Sequence, residues 1–171
     1  MEEKPMANFK LIKGDITKMK VDAIVNAANT ALSGGGGVDG AIHRAAGPQL
    51  DEACRKLNGC PTGEAKMTPG FDLPAKYVIH TPGPIWHGGS RNEAQLLRNS
   101  YVNSLKRAVE NNCRTVAFPS ISTGVYDYPL DQAAKIAIGA IKEFDAPLEV
   151  TMVCFDEGTF MAYERALDKL A

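Results

Sequence analysis

Val21-Asp22-Ala23-Ile24-Val25-Asn26-Ala27-Ala28-Asn29, followed four residues further on by Gly34-Gly35-Gly36-Gly37-Val38-Asp39-Gly40, is the stretch on which the fold turns. Val21 to Val25 is a short, largely apolar, β-branched run and reads as a strand. The glycines that follow open a shorter helix carrying Ala41, Ile42 and Ala45, which ends before Gly47-Pro48, a stop signal. Working outward, Phe9 to Ile12 reads as an earlier strand. Tyr77 to His80, Thr115 to Phe118 and Glu149 to Phe155 read as further strands, mostly apolar and so buried on both faces, and Met67 with its neighbours adds another. Leu130, Ala133, Ala134, Ala137, Ile138 and Ile141 recur at helical spacing, with Pro129 suited to the first turn. Leu97, Tyr101, Leu105 and Ala108 form a second stripe, and Phe160, Tyr163, Leu167 and Leu170 a third. Strands alternating with helices predict an α/β layered domain around a largely parallel sheet.

The bulk properties narrow the function classes. In 171 residues, 19 Lys and Arg stand against 20 Asp and Glu, for a net charge of −1, and 44% of residues are hydrophobic. The length predicts one domain, residues 1–171, large enough to bury its own core. Disorder is excluded by the high apolar content and low net charge. No run approaches the ~18 apolar residues of a membrane span. Without excess positive charge, direct nucleic-acid binding is disfavoured. Met1 to Asn8 is short and polar, with no apolar signal segment, so the expected compartment is the cytoplasm. Cys54, Cys60, Cys113 and Cys154 are then expected as free thiols. A zinc site from Cys54, Cys60, His43 and His80 is disfavoured, because the Cys54–Cys60 gap exceeds finger spacing; no metal is expected.

In a parallel sheet, ligands bind beyond the carboxyl ends of the strands. Four such loops are chemically unusual: Gly14-Asp15-Ile16-Thr17, Asn26-Ala27-Ala28-Asn29 with the glycine run, Pro119-Ser120-Ile121-Ser122-Thr123-Gly124-Val125-Tyr126, and Phe155-Asp156. They offer amides, small hydroxyls, carboxylates, aromatics and free backbone N–H groups, but no Lys or Arg. Gly35 to Gly40 formally fits a dinucleotide fingerprint, yet about nine residues separate it from its strand and no strand-end acid follows. What survives is physical: glycines admit a ligand close to the backbone, and consecutive N–H groups at a helix start attract an anion. Ser122, Thr123, Gly124 and Val125 make the same offer, so two facing loops would hold a diphosphate without a cation. A plain N-cap for the Pro129 helix is the alternative.

Asp39 lies inside the anion loop. It reads either as a helix cap or as a carboxylate that positions or deprotonates water beside a phosphoribose. Asn26 and Asn29 follow the strand closely, and either make local turns or hold a sugar hydroxyl pair. Asp15 reads as a turn residue or as an acceptor for an adenine amino group. Phe155 is core or stacks on a base, and His43 reads as structural rather than as a catalytic base. No Gly-x-Ser-x-Gly elbow or loop cysteine supports nucleophilic catalysis. The loop Pro84 to Asn92, with the only Trp, is either a lid or a plain connection.

At these residues the chain resembles the macro domain family, and within it the MacroD-type branch. The stretches that carry the resemblance are Gly14-Asp15-Ile16-Thr17, Val25-Asn26-Ala27-Ala28-Asn29, Gly34 through Gly47-Pro48, Thr62-Gly63-Glu64-Ala65, Leu73-Pro74-Ala75-Lys76, His80-Thr81-Pro82-Gly83-Pro84 and Pro119 through Tyr126. The chain is most similar to bacterial members described as O-acetyl-ADP-ribose deacetylases. The resemblance implies a three-layer α/β/α sandwich with a mixed, largely parallel sheet and an ADP-ribose cleft. It implies that Asp15 and the Ile16 backbone bind adenine, with Phe155 stacked on it. Ser122, Thr123, Gly124, Val125 and Tyr126 would cradle the diphosphate. Asn29 would orient the distal ribose, flanked by Gly37, Val38 and the catalytic carboxylate Asp39; Asn26 is expected among the ligand-binding residues. The implied activity is ester hydrolysis on O-acetyl-ADP-ribose and on mono-ADP-ribosylated Asp or Glu of proteins, without a cofactor, by a monomer. An ADP-ribose reader without catalysis and a regulator of RNA processing acting through protein contacts are the alternatives.

Overall fold

The computed structural model describes residues 7–170, so Met1 to Met6 and Ala171 lie outside the described residues. The strands are β1 (Asn8–Lys13), β2 (Ala23–Ala28), β3 (Lys66–Pro69), β4 (Tyr77–Pro82), β5 (Thr115–Phe118) and β6 (Glu149–Cys154). The helices are α1 (Gly37–Ala46), α2 (Pro48–Lys56), α3 (Glu93–Glu110), α4 (Leu130–Lys142) and α5 (Glu157–Leu170). A single 3-10 turn, Ile16–Lys18, follows β1.

The six strands form one sheet in the order β1-β6-β5-β2-β4-β3, parallel throughout except for β3, which runs antiparallel to β4. Successive side chains of a strand point to opposite faces, and here they divide between two cores. Ala23 and Val25 of β2 join Ile79, Val116, Phe118 and Met152 beneath α3, α4 and α5. Ile24 joins Val78, Ala117 and Val153 against Ile42 of α1 and Leu50 of α2. Helices thus cover both faces, which is the three-layer α/β/α sandwich with a mixed, mostly parallel sheet. Both faces being covered explains why the central strands read as continuous apolar runs.

Two expectations need correction. The second strand begins at Ala23 and runs to Ala28, so Asn26, Ala27 and Ala28 belong to the strand and not to the loop after it. Asn26 pairs in register with His80 of β4 and is wholly buried. Helix α2 was not foreseen. Pro48 does stop α1, but it also occupies the first turn of the next helix, where its missing N–H costs nothing. Gly47 caps both helices, and only Leu50 and Cys54, four residues apart, turn inward.

Candidate active site

The chain leaves β2 for β4 on one side and reaches β5 on the other side of β2, so the loops diverge at that point and open a crevice. There, at the carboxyl ends of the parallel strands, lies a cleft of about 690 Å³. That size suits a nucleotide-like ligand. Its walls come from Gly14-Asp15-Ile16 after β1, Asn29 and Gly35 to Asp39 after β2, Ser122 to Tyr126 after β5, and Phe155 after β6. Every residue singled out from the sequence lines the cleft except Asn26.

One wall is the start of α1. Gly34 and Gly37 take positive φ angles, +80° and +57°, which bend the chain into the helix. The N–H groups of Gly37, Val38 and Asp39 are those that an α-helix leaves unbonded in its first turn, and all three residues line the cleft. Asp39 is 6% exposed. Burial raises its carboxyl above the ordinary aspartate value; the hydrogen bond from Asn26 and the neighbouring His43 pull it back, and Asp51 pushes it up again.

Beneath Asp39 a polar network crosses the α1 face of the sheet. Asn26 Nδ2 donates to Asp39 Oδ1 at 2.8 Å and lies 3.2 Å from His80 Nδ1. An amide nitrogen carries two hydrogens, so His80 Nδ1 accepts the second and its Nε2–H faces Thr68 Oγ1 at 3.0 Å. Burial drives the His80 imidazole down to about 3, so it stays neutral. His43, one turn along α1, stands between carboxylates: Nε2 is 3.3 Å from Asp39 and Nδ1 is 2.5 Å from Asp51. Asn26 therefore does not meet a ligand. It lies under the cleft and holds Asp39, which lines it.

The opposite wall is a loop whose five N–H groups, from Ser122 to Tyr126, have no acceptor among the described residues. Ser122 and Asp127 sit in the left-handed region at φ 68° and 61°. Val125 is 98% exposed and Phe155 84%, two apolar side chains left in solvent on the cleft rim. Asp15 caps the 3-10 turn, with Oδ1 accepting from Thr17 N and Oγ1. Those two bonds outweigh burial and lower its pKa. The turn reading of Asp15 is thus correct and leaves Oδ2 open to a ligand. Asn29 likewise secures its own turn: Oδ1 accepts from Ser33 N, and Nδ2 donates to the Gly34 carbonyl.

One charged cleft residue was missed. Arg44 lines the glycine-run end of the cleft and is the only Lys or Arg among the described residues that does so. It comes from a helix face and not from a strand-end loop. Helical side chains lean toward the helix N-terminus, so position 44 covers the turn at Gly40, and this spacing was the available signal. Of the four zinc candidates, His43, Cys54 and His80 do bring ligand atoms within 4.8 Å of one another, while Cys60 Sγ faces the Pro61 carbonyl. Both His80 nitrogens are already engaged, which makes it a satisfied core histidine. All four cysteines are free and buried. Burial pushes Cys54 to about 11 and Cys154 to about 12, so neither is a ready thiolate.

Fold and cleft together define a three-layer α/β/α domain with a cleft that places unbonded backbone amides beside a buried carboxylate. The chain belongs to the macro domain family: the family model "Macro domain" matches residues 25–137. It is 63% identical over 170 residues to a macro domain-containing protein of Lactiplantibacillus plantarum, covering 96% of this chain and 99% of that one. It is 56% identical to a protein of Citrobacter rodentium named O-acetyl-ADP-ribose deacetylase, over 94% of this chain and 96% of that one. A solved Oceanobacillus iheyensis macrodomain with ADP superimposes with a TM-score of 0.93 at 42% identity, over 99% and 95% of the two chains. Among the described residues, no helix is long and apolar enough to cross a membrane.

Proposed function

We propose that this chain binds ADP-ribose and hydrolyses ADP-ribosyl esters, namely O-acetyl-ADP-ribose and mono-ADP-ribose carried on Asp or Glu side chains of proteins. The observation that carries this reading is Asp39, a buried carboxylate with a raised pKa placed among the free N–H groups of the α1 start. A pure anion site gains nothing from a negative charge there. A hydrolase needs it to take a proton from water. The names of the Citrobacter relative and of the ADP-bearing Oceanobacillus structure support the ligand class.

In this reading the adenine rests on Phe155, with its amino group donating to Asp15 Oδ2 beside the Ile16 backbone. The diphosphate lies between the N–H groups of Ser122 to Tyr126 and those of Gly37 and Val38. Backbone dipoles supply the positive field, which is why the site needs no cluster of cations. Asn29 and the glycine run border the distal ribose. Asp39 removes a proton from water, the hydroxide attacks the ester carbonyl or the anomeric carbon, the bond to the leaving oxygen breaks, and Asp39 returns the proton to that oxygen. The products are ADP-ribose and a free carboxylic acid, and no redox or metal step is needed to balance them.

The test is a mass-spectrometric product assay in H₂¹⁸O, on O-acetyl-ADP-ribose and on a peptide ADP-ribosylated at glutamate. Label in the acid reports attack at the ester carbonyl; label in the ribose reports attack at the anomeric carbon. Tight ADP-ribose binding with no product over hours would leave a reader module instead. Arg44, at the end where an acceptor leaves, suits an anionic acceptor. Arg44→Glu is expected to slow an acidic modified peptide by about tenfold more than O-acetyl-ADP-ribose, because like charges then meet at the exit.

The pH profile offers a second check. Turnover requires ionised Asp39, so the acid limb of kcat/KM should fall at a pH above the ordinary 3.8 of aspartate. Asn26 donates to the ionised form and so lowers this pKa. Asn26→Ala removes that donor and should move the limb to higher pH. A limb that stays in place would mean that the Asn26 contact does not govern Asp39.

A further inference from the structure

Between β4 and α3 the chain crosses from Gly83 to Asn92, alongside the wall that donates Ser122 to Tyr126. The segment is fastened by a single side chain. Glu93, the first residue of α3, is 1% exposed and accepts three backbone hydrogen bonds: from His87 N at 2.8 Å, Gly89 N at 3.0 Å and Arg91 N at 2.6 Å. Such a burial is tolerated because the donors satisfy both carboxylate oxygens. Burial alone would raise this carboxyl, but the N–H groups of His87, Gly89 and Arg91 outweigh it and hold it at about 2. This segment is therefore a strap tied at its far end, and the lid reading of Pro84 to Asn92 does not fit that geometry.

The strap presses on the cradle in three places. Trp86 N donates to the Tyr126 carbonyl at 2.9 Å. The Trp86 ring packs on Tyr128 with centroids 4.7 Å apart. At Gly83 the approach is so close that a Cβ would stand 2.2 Å from Ser122 Oγ and 2.4 Å from Ile121 Cγ2. The cradle needs such support. Ser122 and Asp127 hold left-handed conformations that non-glycine residues rarely adopt. Inside the cradle, only Asp127 N to the Gly124 carbonyl and Tyr128 N to the Ser122 carbonyl, both 3.0 Å, close the backbone on itself. Turning the N–H groups of residues 122–126 toward the cleft leaves them without internal partners.

We propose that Glu93 is a remote positioning residue of the anion cradle: it ties down the strap Gly83 to Asn92, and the strap keeps Ser122 to Tyr128 in the shape that receives a diphosphate. The ligand in this proposal rests on the reading given under Proposed function; the mechanical link between Glu93 and the cradle does not. Glu93 touches none of the reacting atoms, and the hydrolytic carboxylate stands on the other wall. Loss of the tie should thus appear in binding and not in the chemical step.

The experiment compares wild type with Glu93→Gln and Glu93→Ala. Gln keeps one acceptor oxygen and turns an NH₂ group toward N–H donors, so both variants should loosen the strap. The expected result is an ADP-ribose Kd raised by about tenfold in both variants, with kcat at saturation within about twofold of wild type. Amide hydrogen exchange of Asp127 and Tyr128, the two hydrogen-bonded amides of the cradle, should quicken by at least about tenfold in the ligand-free variants. In the wild type itself, the amides of His87, Gly89 and Arg91 should open together with those of Asp127 and Tyr128. Strap amides that exchange while the cradle stays protected would overturn the proposal, even if neither variant folds. So would a folded Glu93→Ala protein with unchanged Kd and unchanged exchange at Asp127 and Tyr128. If wild type binds no ADP-ribose but the exchange coupling holds, the ligand reading fails and the tie from Glu93 stands.

Discussion

Asp39→Ala is expected to lower turnover of O-acetyl-ADP-ribose by roughly 10²–10⁴-fold, the ordinary worth of a positioned general base, while ADP-ribose still binds. In the proposed complex the ligand is held by backbone N–H groups at the α1 start and at Ser122 to Tyr126, cleft residues that the substitution leaves in place. Calorimetry on the variant should therefore give a Kd close to wild type, and the loss should fall in kcat. The fold should survive as well. Burial holds the Asp39 carboxyl above its unfolded value, so the folded state keeps the proton to higher pH than the unfolded chain does. The sign follows: wild-type stability carries no penalty from this group below 3.8, loses stability as pH rises through the native value, and keeps that loss at neutral pH. Asp39→Ala and Asp39→Asn should melt at or above the wild-type temperature at pH 7. A wild-type rate, or a variant that unfolds, would sink this account of Asp39.

Gly40→Ala is the second large effect, expected to cost about 10²-fold in kcat/KM, the scale of a displacement of ~1 Å at a catalytic loop. A Cβ at position 40 would lie 2.4 Å from the Gly35 carbonyl oxygen and 3.0 Å from Arg44 Nη1. The arginine tip can swing away. The carbonyl is backbone and cannot yield without moving the glycine run, and with it the N–H groups of Gly37 and Val38. Alanine is the better helix former, so the helix itself gives no reason for glycine here. Gly139→Ala, in α4 away from the cleft, where an added Cβ likewise meets nothing within 4 Å, is the control and should retain its activity. Equal activity of the two variants would remove the steric argument.

Much of this site was legible because its parts are local in the chain. A glycine run that ends a loop and opens a helix, and a Ser-Thr-Gly segment after a buried strand, advertise free N–H groups from spacing alone. Phe155 and Asp15 sit directly past strand ends, where the parallel sheet puts its ligands. Asp39 followed from its place inside the anion loop. The misplaced end of the second strand, at Val25 instead of Ala28, had a chemical consequence: it put Asn26 in a cleft loop when it is wholly buried in the sheet.

What the chain order could not show is which side chains meet across elements. The sequence by itself determined the alternation of strands and helices, the family, and the loops that form the cleft, because periodicity and turn chemistry act over a few residues. The tertiary structure alone decided that Asn26 reaches Asp39, that His43 stands between Asp39 and Asp51, that Arg44 leans over the glycine run, and that Glu93 accepts from the segment packed against the Ser122–Tyr128 loop. Asn26 looked like a loop amide and Glu93 like an ordinary first-turn acid. Their roles arise from desolvation and from hydrogen-bond donors brought in by other segments, and a buried polar group is defined by those neighbours and not by its place in the sequence.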